Sequence, residues 1–377
     1  MPIRLFDIPA LDAVAEAAAR RRQDSLTKPR GSLGALEDIA CRLAAVQGNP
    51  RPVIGKKRIV VAAADHGVVA EGVSPYPQEV TAQMVANFLR GGAAINVLAR
   101  QAGAEVVVVN AGVKFDIPGG GWGIVQVGSA RGTENMARKP AMSRAQAEKL
   151  IEEGARMAHQ LATDGADIIA TGDMGIGNTT AAAAITSVLT GRQPAEVTGR
   201  GTGLDDAGLK RKIAVIERAV ELHRPDSHDS VGVLASVGGC EIAFLAGLML
   251  GAAERRVAIA LDGFISTAAA LVAHVAEPRV TDYVFACHLS AEPGHRIALD
   301  HLKLKPLLDL NMRLGEGTGA ALGLQVIEAA VRLHNEMATF EEAAVSERPS
   351  AAREVESQSA ARSRMPSPRP SRKIRRV

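Results

Sequence analysis

Glu316 stands between Gly315 and Gly317 in the stretch MRLGEGTGAALG, Met312 to Gly323, just ahead of a long helical pattern. Met312 and Leu314 lie close by in the chain, so this carboxylate is placed to be partly desolvated. Desolvation raises a carboxyl pKa toward the range of a general base. The competing reading is a helix-N-terminal Glu that stabilises the macrodipole. A second stretch, TGDMGIGNTT from Thr171 to Thr180, closes an apolar run and opens a helix. Gly175 and Gly177 let the backbone approach a ligand closely. Asn178, Thr179 and Thr180 supply donors at a helix N-terminus, where free N–H groups favour an anion. A tight turn with a helix cap is the plainer alternative. The third stretch is GRGTGLDDAGLKRK, Gly199 to Lys212. Gly201 and Gly203 suit another close-approach loop. Lys210, Arg211 and Lys212 are either phosphate cations or solvated surface charge. Two anion-friendly loops and one poised carboxylate point to a phosphorylated substrate handled by acid–base chemistry.

Other chemistries lack their signatures. No GxxxxGK[ST] is present, and no strict GxGxxG follows a strand. A Walker-type loop and a dinucleotide fingerprint are therefore missing. There is no HExxH, no GxSxG and no cluster at metal-ligand spacing. His66 and His288 end apolar runs, where a structural hydrogen bond competes with a catalytic role. Cys41, Cys240 and Cys287 are odd in number and far apart, which excludes a disulfide scaffold and a CxxC site. A reducing cytoplasm is the simplest home.

These loops need a scaffold, and the sequence supplies one. Of 377 residues 47% are hydrophobic, yet only 3% are aromatic, and 37 are Gly. Such a core packs helices closely on a buried sheet. Short apolar runs begin at Arg58 (RIVVAAADHG), Glu105 (EVVVVNAG), Gly123 (GIVQVG), Ala166 (ADIIATGD), Val257 (VAIALDG) and Tyr283 (YVFACH). Most end in polar residues or Gly: Asp65-His66, Asn110, Asp173, Asp262-Gly263, His288. In open α/β sheets the ligand crevice lies at that strand edge. Helical patterns alternate with the runs: Gln78 to Arg100, Ser143 to Thr163 with a capping box to Gln146, Asn178 to Thr190, Lys210 to Leu222 and Gly239 to Ala253. The expected class is α/β, a Rossmann-like and mostly parallel sheet with flanking helices. Residues 1–50 supply two helices of a smaller helical domain. Residues 51–312 form the α/β domain, and 313–346 carry the Glu316 loop and a C-terminal helix that packs with the small domain.

Residues 347–377 read as a disordered basic tail rich in Ser, Pro and Arg. Nine of the 44 Lys and Arg but only two of the 41 Asp and Glu follow Glu347, so the body is net acidic. The tail has no aromatics for base stacking, so nucleic acid is not expected as a partner. The apolar stretch Ile242 to Ala253 is too short to span a bilayer, and no secretion signal precedes LDAVAE.

Taken in order, KPRGSLGALE, ADHGV, EGVSPYPQEVTAQM, RGGAAINVLARQ, GDMGIGNTT, SVGGCEIAFLAG, LDGFIS, SAEPGHRIAL and MRLGEGTGAAL resemble the nicotinate-nucleotide–dimethylbenzimidazole phosphoribosyltransferase family over residues 5 to 345. The resemblance implies transfer of a phosphoribosyl group from nicotinate mononucleotide to 5,6-dimethylbenzimidazole in cobalamin lower-ligand biosynthesis. It also implies a homodimer and no metal or other cofactor. Carried over position by position, it makes Glu316 the catalytic base, with Asp173 beside it where many relatives have Glu. Gly175, Gly177, Asn178, Thr179, Gly201, Gly203, Lys212 and Ser290 become the nucleotide and phosphate residues. Asp65, His66, Tyr76, Met84 and Leu314 become the base-binding residues. Some relatives have Gln at the position of Met84. A nucleotide- or base-binding regulator on the same fold is the alternative, against which the intact LGEG and GNTT segments argue.

Overall fold

The computed structural model describes residues 6–346 apart from 121, 129 and 130. The expected basic tail therefore lies outside the described residues. In chain order the elements are α1 (Ala13–Ser25), α2 (Ala35–Gln47), β1 (Lys57–Ala64), α3 (Glu79–Arg90), α4 (Ala94–Ala102), β2 (Ala104–Gly112), β3 (Val125–Gln126), α5 (Arg144–Thr163), β4 (Ile168–Met174), α6 (Asn178–Thr190) and α7 (Pro194–Val197). There follow α8 (Asp206–His223), α9 (Ser230–Val237), α10 (Cys240–Glu254), β5 (Ala258–Leu261), α11 (Phe264–Ala276), β6 (Val284–Ala286), β7 (His288–Ser290), α12 (Pro293–His301), β8 (Leu308–Met312) and α13 (Thr318–Glu336).

Six strands form one sheet in the order β3-β2-β1-β4-β5-β6, and every neighbouring pair is parallel. The chain builds outward from β1 through β2 to β3, then returns to the other side of β1 for β4. The strand order reverses between β1 and β4, which opens a crevice at their C-terminal ends. The expected α/β class is thus observed. A second, two-stranded parallel sheet of β7 and β8 lies beside the first. The run YVFACH feeds both β6 and β7, and β8 had no sequence signal strong enough to be expected.

Small residues set how closely the layers approach. A Cβ on Gly154 of α5 would overlap the Phe244 carbonyl oxygen of α10. One on Gly247 would overlap the Ile151 carbonyl oxygen in return. The two helices therefore meet backbone to backbone. Residues Cys240 to Ala253 are all buried, so α10, apolar there except at Glu241, is a central core helix. No helix among the described residues is long and apolar enough to cross a membrane.

Segments near the two ends of the described residues meet. The backbone N–H of Thr27 donates to Ala338 O at 3.1 Å, and that of Phe340 donates to Ser25 O at 2.9 Å. The Arg22 guanidinium donates to the carbonyls of His334, Asn335 and Met337, closing the C-terminus of α13.

Two local expectations are corrected. Gln78 to Arg100 is not one helix. Gly91 sits at φ +79°, its N–H donates to Asn87 O and Phe88 O, and α3 stops there. The Asn96 side chain then accepts from Ala93 N at 3.1 Å, and α4 starts afresh. The capping box at Ser143 is only half formed. Ser143 Oγ accepts from Gln146 N, but the Gln146 side chain donates to Cys240 Sγ instead.

The helix contact yields a prediction whose sign separates packing from propensity. Gly→Ala in an exposed helix gains up to ~1 kcal/mol. Gly247→Ala is instead expected to destabilise by about 3 kcal/mol through overpacking, read as a lower midpoint in urea unfolding.

Candidate active site

The Glu316 turn crosses the crevice from the β8 side. Gly315, Glu316 and Gly317 all have positive φ, +83°, +63° and +93°. Glu316 is the one residue of the three with a Cβ, and for such a residue the left-handed region costs roughly 1–2 kcal/mol. The turn is pressed onto β4. A Cβ on Gly172 would lie 2.5 Å from Glu316 O. Glu316 N donates to Asp173 O at 3.2 Å. The side chain is 5% exposed and its Oε2 accepts from Ile95 N at 3.3 Å. The break between α3 and α4 therefore creates the helix N-terminus that receives this carboxylate.

Burial pushes the Glu316 carboxyl above its ordinary value. The Ile95 N–H opposes that shift and the negative charge of Asp262 adds to it. Asp173 lies beside the turn: a Cβ on Gly315 would sit 3.1 Å from Asp173 Oδ2. Its carboxyl is driven well above the usual range, first by burial and then by Asp262 and Glu241. Asn178 Nδ2 donates to Asp173 Oδ2 at 2.9 Å, which partly offsets this. Asp173 Oδ1 is buried without a hydrogen-bond partner. Two neighbouring carboxyls in one dry crevice resist double ionisation, which favours one carrying a proton.

The glycines of the second loop have steric jobs. A Cβ on Gly175 would overlap Ala64 O at the end of β1. Gly177 has φ +95°, and a Cβ there would lie 2.7 Å from Val69 Cγ2. The loop thus lies directly on the strand-order reversal, with α6 starting at Asn178.

The third loop brings in the cation. Lys212 on α8 is 1% exposed. Its Nζ donates to Thr179 Oγ1 at 2.8 Å and to Gly199 O at 3.4 Å. Burial pushes the ammonium down to about 8, against the pull of Glu292. Glu292 Oε1 accepts from Gly201 N at 3.0 Å, and a Cβ on Gly199 would overlap Glu292 Oε2. Arg313 Nη1 donates to Gly201 O at 2.8 Å, tying this loop to the residues just before the Glu316 turn. Ser290 Oγ accepts from Glu292 N, and Ser290 N donates to His295 Nδ1 at 2.7 Å. His295 Nε2 must then carry the proton it shares with Thr267 Oγ1, 2.9 Å away. Burial holds that ring down to about 3, so it stays neutral.

The structure thus brings Glu316, Asp173, Gly175, Gly177, Asn178, Thr179, Gly201, Lys212 and Ser290 to one strand edge. Gly203 stands apart in an open turn at φ +114°. Lys210 and Arg211 are exposed on α8. Asp65 and His66 end β1, but their polar atoms are committed inside. Asp65 accepts from Thr81 Oγ1 and Lys114 N, and His66 Nε2 lies 2.7 Å from Glu241 Oε1. Burial works against a charged His66 ring, but Glu241 overrides it and the ring is held above its usual value. Met84 is half-buried against the core, whereas Tyr76 and Leu314 are 49% and 58% exposed.

Sequence reasoning gave no roles to Glu241, Glu292, His295 or Arg313. A lone acid in the otherwise apolar CEIAFLAGLML and another in SAEPG were the available signals.

Comparison with known proteins agrees with this architecture. A family model described as phosphoribosyltransferase matches residues 8–345. The nicotinate-nucleotide–dimethylbenzimidazole phosphoribosyltransferase of Chloroflexus aggregans is 56% identical over 338 residues, 90% of this chain and 96% of that one. The enzyme of the same name from Geotalea uraniireducens is 53% identical over 344 residues, 91% and 97% of the two chains. A crystal structure of such an enzyme from Thermus thermophilus superimposes with a TM-score of 0.84 at 48% identity, covering 90% of this chain and all of that one. The chain belongs to the nicotinate-nucleotide–dimethylbenzimidazole phosphoribosyltransferase family.

Proposed function

We propose that this protein transfers the phosphoribosyl group of nicotinate mononucleotide to 5,6-dimethylbenzimidazole, giving α-ribazole 5′-phosphate and nicotinate. The observation that carries the mechanism is the buried Glu316 carboxylate, held in a left-handed turn at the strand-order reversal beside Asp173. One nitrogen of the benzimidazole attacks C1′ from the face opposite the nicotinate. The C1′–N bond to nicotinate breaks, the new N–C1′ bond forms, and the configuration inverts from β to α. Glu316 takes the proton from the other ring nitrogen, so no positive charge is left on the product. Nicotinate carries a pyridinium nitrogen in the substrate and departs as a neutral ring nitrogen, so no strong acid is required. Asp173, with an unpartnered buried oxygen, is assigned to steering the reacting groups. Holding two flat rings across one sugar carbon supplies much of the remaining rate gain.

Lys212, Thr179, Gly201, Ser290 and the loop 175–178 are assigned to the ribose phosphate, and Gly203 is not. Tyr76, Met84 and Leu314 are assigned to the acceptor ring, with Asp65 and His66 fixing the strand end beneath them. The protein is proposed to act in the cytoplasm as a homodimer. Trp122 and Val125 near the β3 edge are among the exposed apolar side chains available to a second copy, and light scattering reads the oligomeric state directly.

Glu316→Gln is expected to keep the fold and nucleotide affinity but lose about 10²–10⁴-fold in turnover. Chromatography of products from nicotinate mononucleotide and a panel of bases checks this. Near-parent formation of α-ribazole phosphate by the variant would remove Glu316 from the base role. Absence of product from the parent enzyme with every base would instead favour the regulator. In the parent, kcat should fall as the pH drops through the raised pKa of Glu316, above the ordinary Glu range, because the base is then protonated.

A phosphate dianion beside Lys212 should drive its depressed pKa back up. Binding of nicotinate mononucleotide at pH 8.5 is then expected to take up protons. Calorimetry in buffers of different ionisation enthalpy measures the uptake, which should vanish in Lys212→Met. That variant should also bind the nucleotide about 10–100-fold more weakly, the worth of a charged hydrogen bond.

A further inference from the structure

Helix α13 has Gly317 at its N-cap position, which offers no side chain to cap it. A capping Ser or Asp cannot stand there. Gly317 has φ +93°, and a Cβ would lie 3.0 Å from Ile59 Cγ2 and 3.2 Å from Thr171 O. The cap comes from another strand. Asp262, at the end of β5 and fully buried, accepts from Gly317 N at 3.1 Å through Oδ2 and from Ala320 N at 2.9 Å through Oδ1. Its own N–H donates to Thr171 Oγ1 on β4 at 3.2 Å. His288 Nε2 stands 3.7 Å from Oδ1 on the far side. Both carboxylate oxygens are thus spent on the backbone immediately after Glu316, and the Asp262 backbone is fixed by the neighbouring strand.

We propose that Asp262 is a positioning residue for the reaction: as a cap supplied from the sheet, it locks the left-handed turn that aims Glu316 into the crevice. The inference rests on the reading of Glu316 as the base. It follows from what each part lacks. The turn needs glycine on both sides to approach β4, glycine cannot cap, and the next helix still has orphan N–H groups in a dry environment. One acid on the adjacent strand answers both needs. Asp262 touches neither reacting ring in this assignment and acts through the turn. It also faces Glu316 as a like charge. The other groups around Glu316 are Asp173 from β4 and the Ile95 N–H of α4. Asp173 in turn faces Glu241 from α10 and Asn178 from α6.

The test is a double-mutant cycle with a pH profile. Asp262→Asn keeps the shape but places an NH₂ against one of the two N–H donors. It is expected to lower kcat about 10–100-fold, the cost of a misplaced catalytic group, with the KM for nicotinate mononucleotide within about three-fold of the parent. Losing the like charge should also move the acidic limb of kcat to lower pH. On the Glu316→Gln background the same substitution should cost less than about three-fold, because the group it positions is already gone. If Asp262→Asn does not fold, Asp262→Glu, with its oxygens one methylene further out, goes through the same cycle. A kcat within three-fold of the parent overturns the proposal. So does a loss that persists at full size on the Glu316→Gln background, which leaves the base reading intact. Near-parent turnover by Glu316→Gln alone removes the base reading and this inference with it.

Discussion

The crevice depends on one close approach, the Glu316 carbonyl lying against the bare Cα of Gly172. Glu316 belongs to the loop after β8, outside the main sheet, yet it lies where β1 and β4 part. It can reach that place only if the chain passes over β4 at contact distance. That requires no side chain at 172, and a backbone at 315–317 that turns the wrong way for ordinary residues. The flanking glycines make the turn cheap, and the single non-glycine in it bears the strain. The strain of the turn therefore falls on the residue proposed as the base.

The same logic runs outward. A turn so tight leaves the start of α13 without a cap of its own, and Asp262 supplies it from β5. The break at Gly91 gives α4 a free end, and its Ile95 N–H meets the carboxylate. Glu292 holds the loop 199–201 against Lys212, and Arg313 joins that loop to the residues before the turn. The loop 199–201 and the Glu316 turn thus share one backbone frame. Charge is distributed to suit. Carboxyls crowd around the turn, where protons are hard to lose, and a buried ammonium of lowered pKa lies beside the loop 199–201.

Much of this was legible in the amino-acid order. The strands read as short apolar runs because a parallel sheet buried on both faces needs nothing else. The LGEG and GIGNTT loops read as sites because glycine spacing is itself the record of a backbone that must come close. Lys212 was legible as a cation near glycines, though only folding shows that it is buried while Lys210 and Arg211 are not. What escaped were contacts made across long stretches of chain. Glu241, Glu292 and His295 act on residues brought beside them by the sheet, and no local pattern encodes such a meeting. The division of α3 from α4 had a local signal in Gly91-Gly92, masked by an apolar periodicity that continues across it. β8 is short and mostly exposed, and it exists because β7 offers it an edge.

The stitching of residues 25–27 to residues 338–340 has a consequence for how the chain is made. A ribosome releases the first helices long before the segment that completes them. Until then α1 and α2 carry apolar faces whose final cover has yet to be synthesised. The nascent chain must either hold those faces against each other or have them shielded by a chaperone. The segment that seats Glu316 also emerges after every strand of the six-stranded sheet, so a chain terminated before it would possess that sheet but not the buried carboxylate beside Asp173.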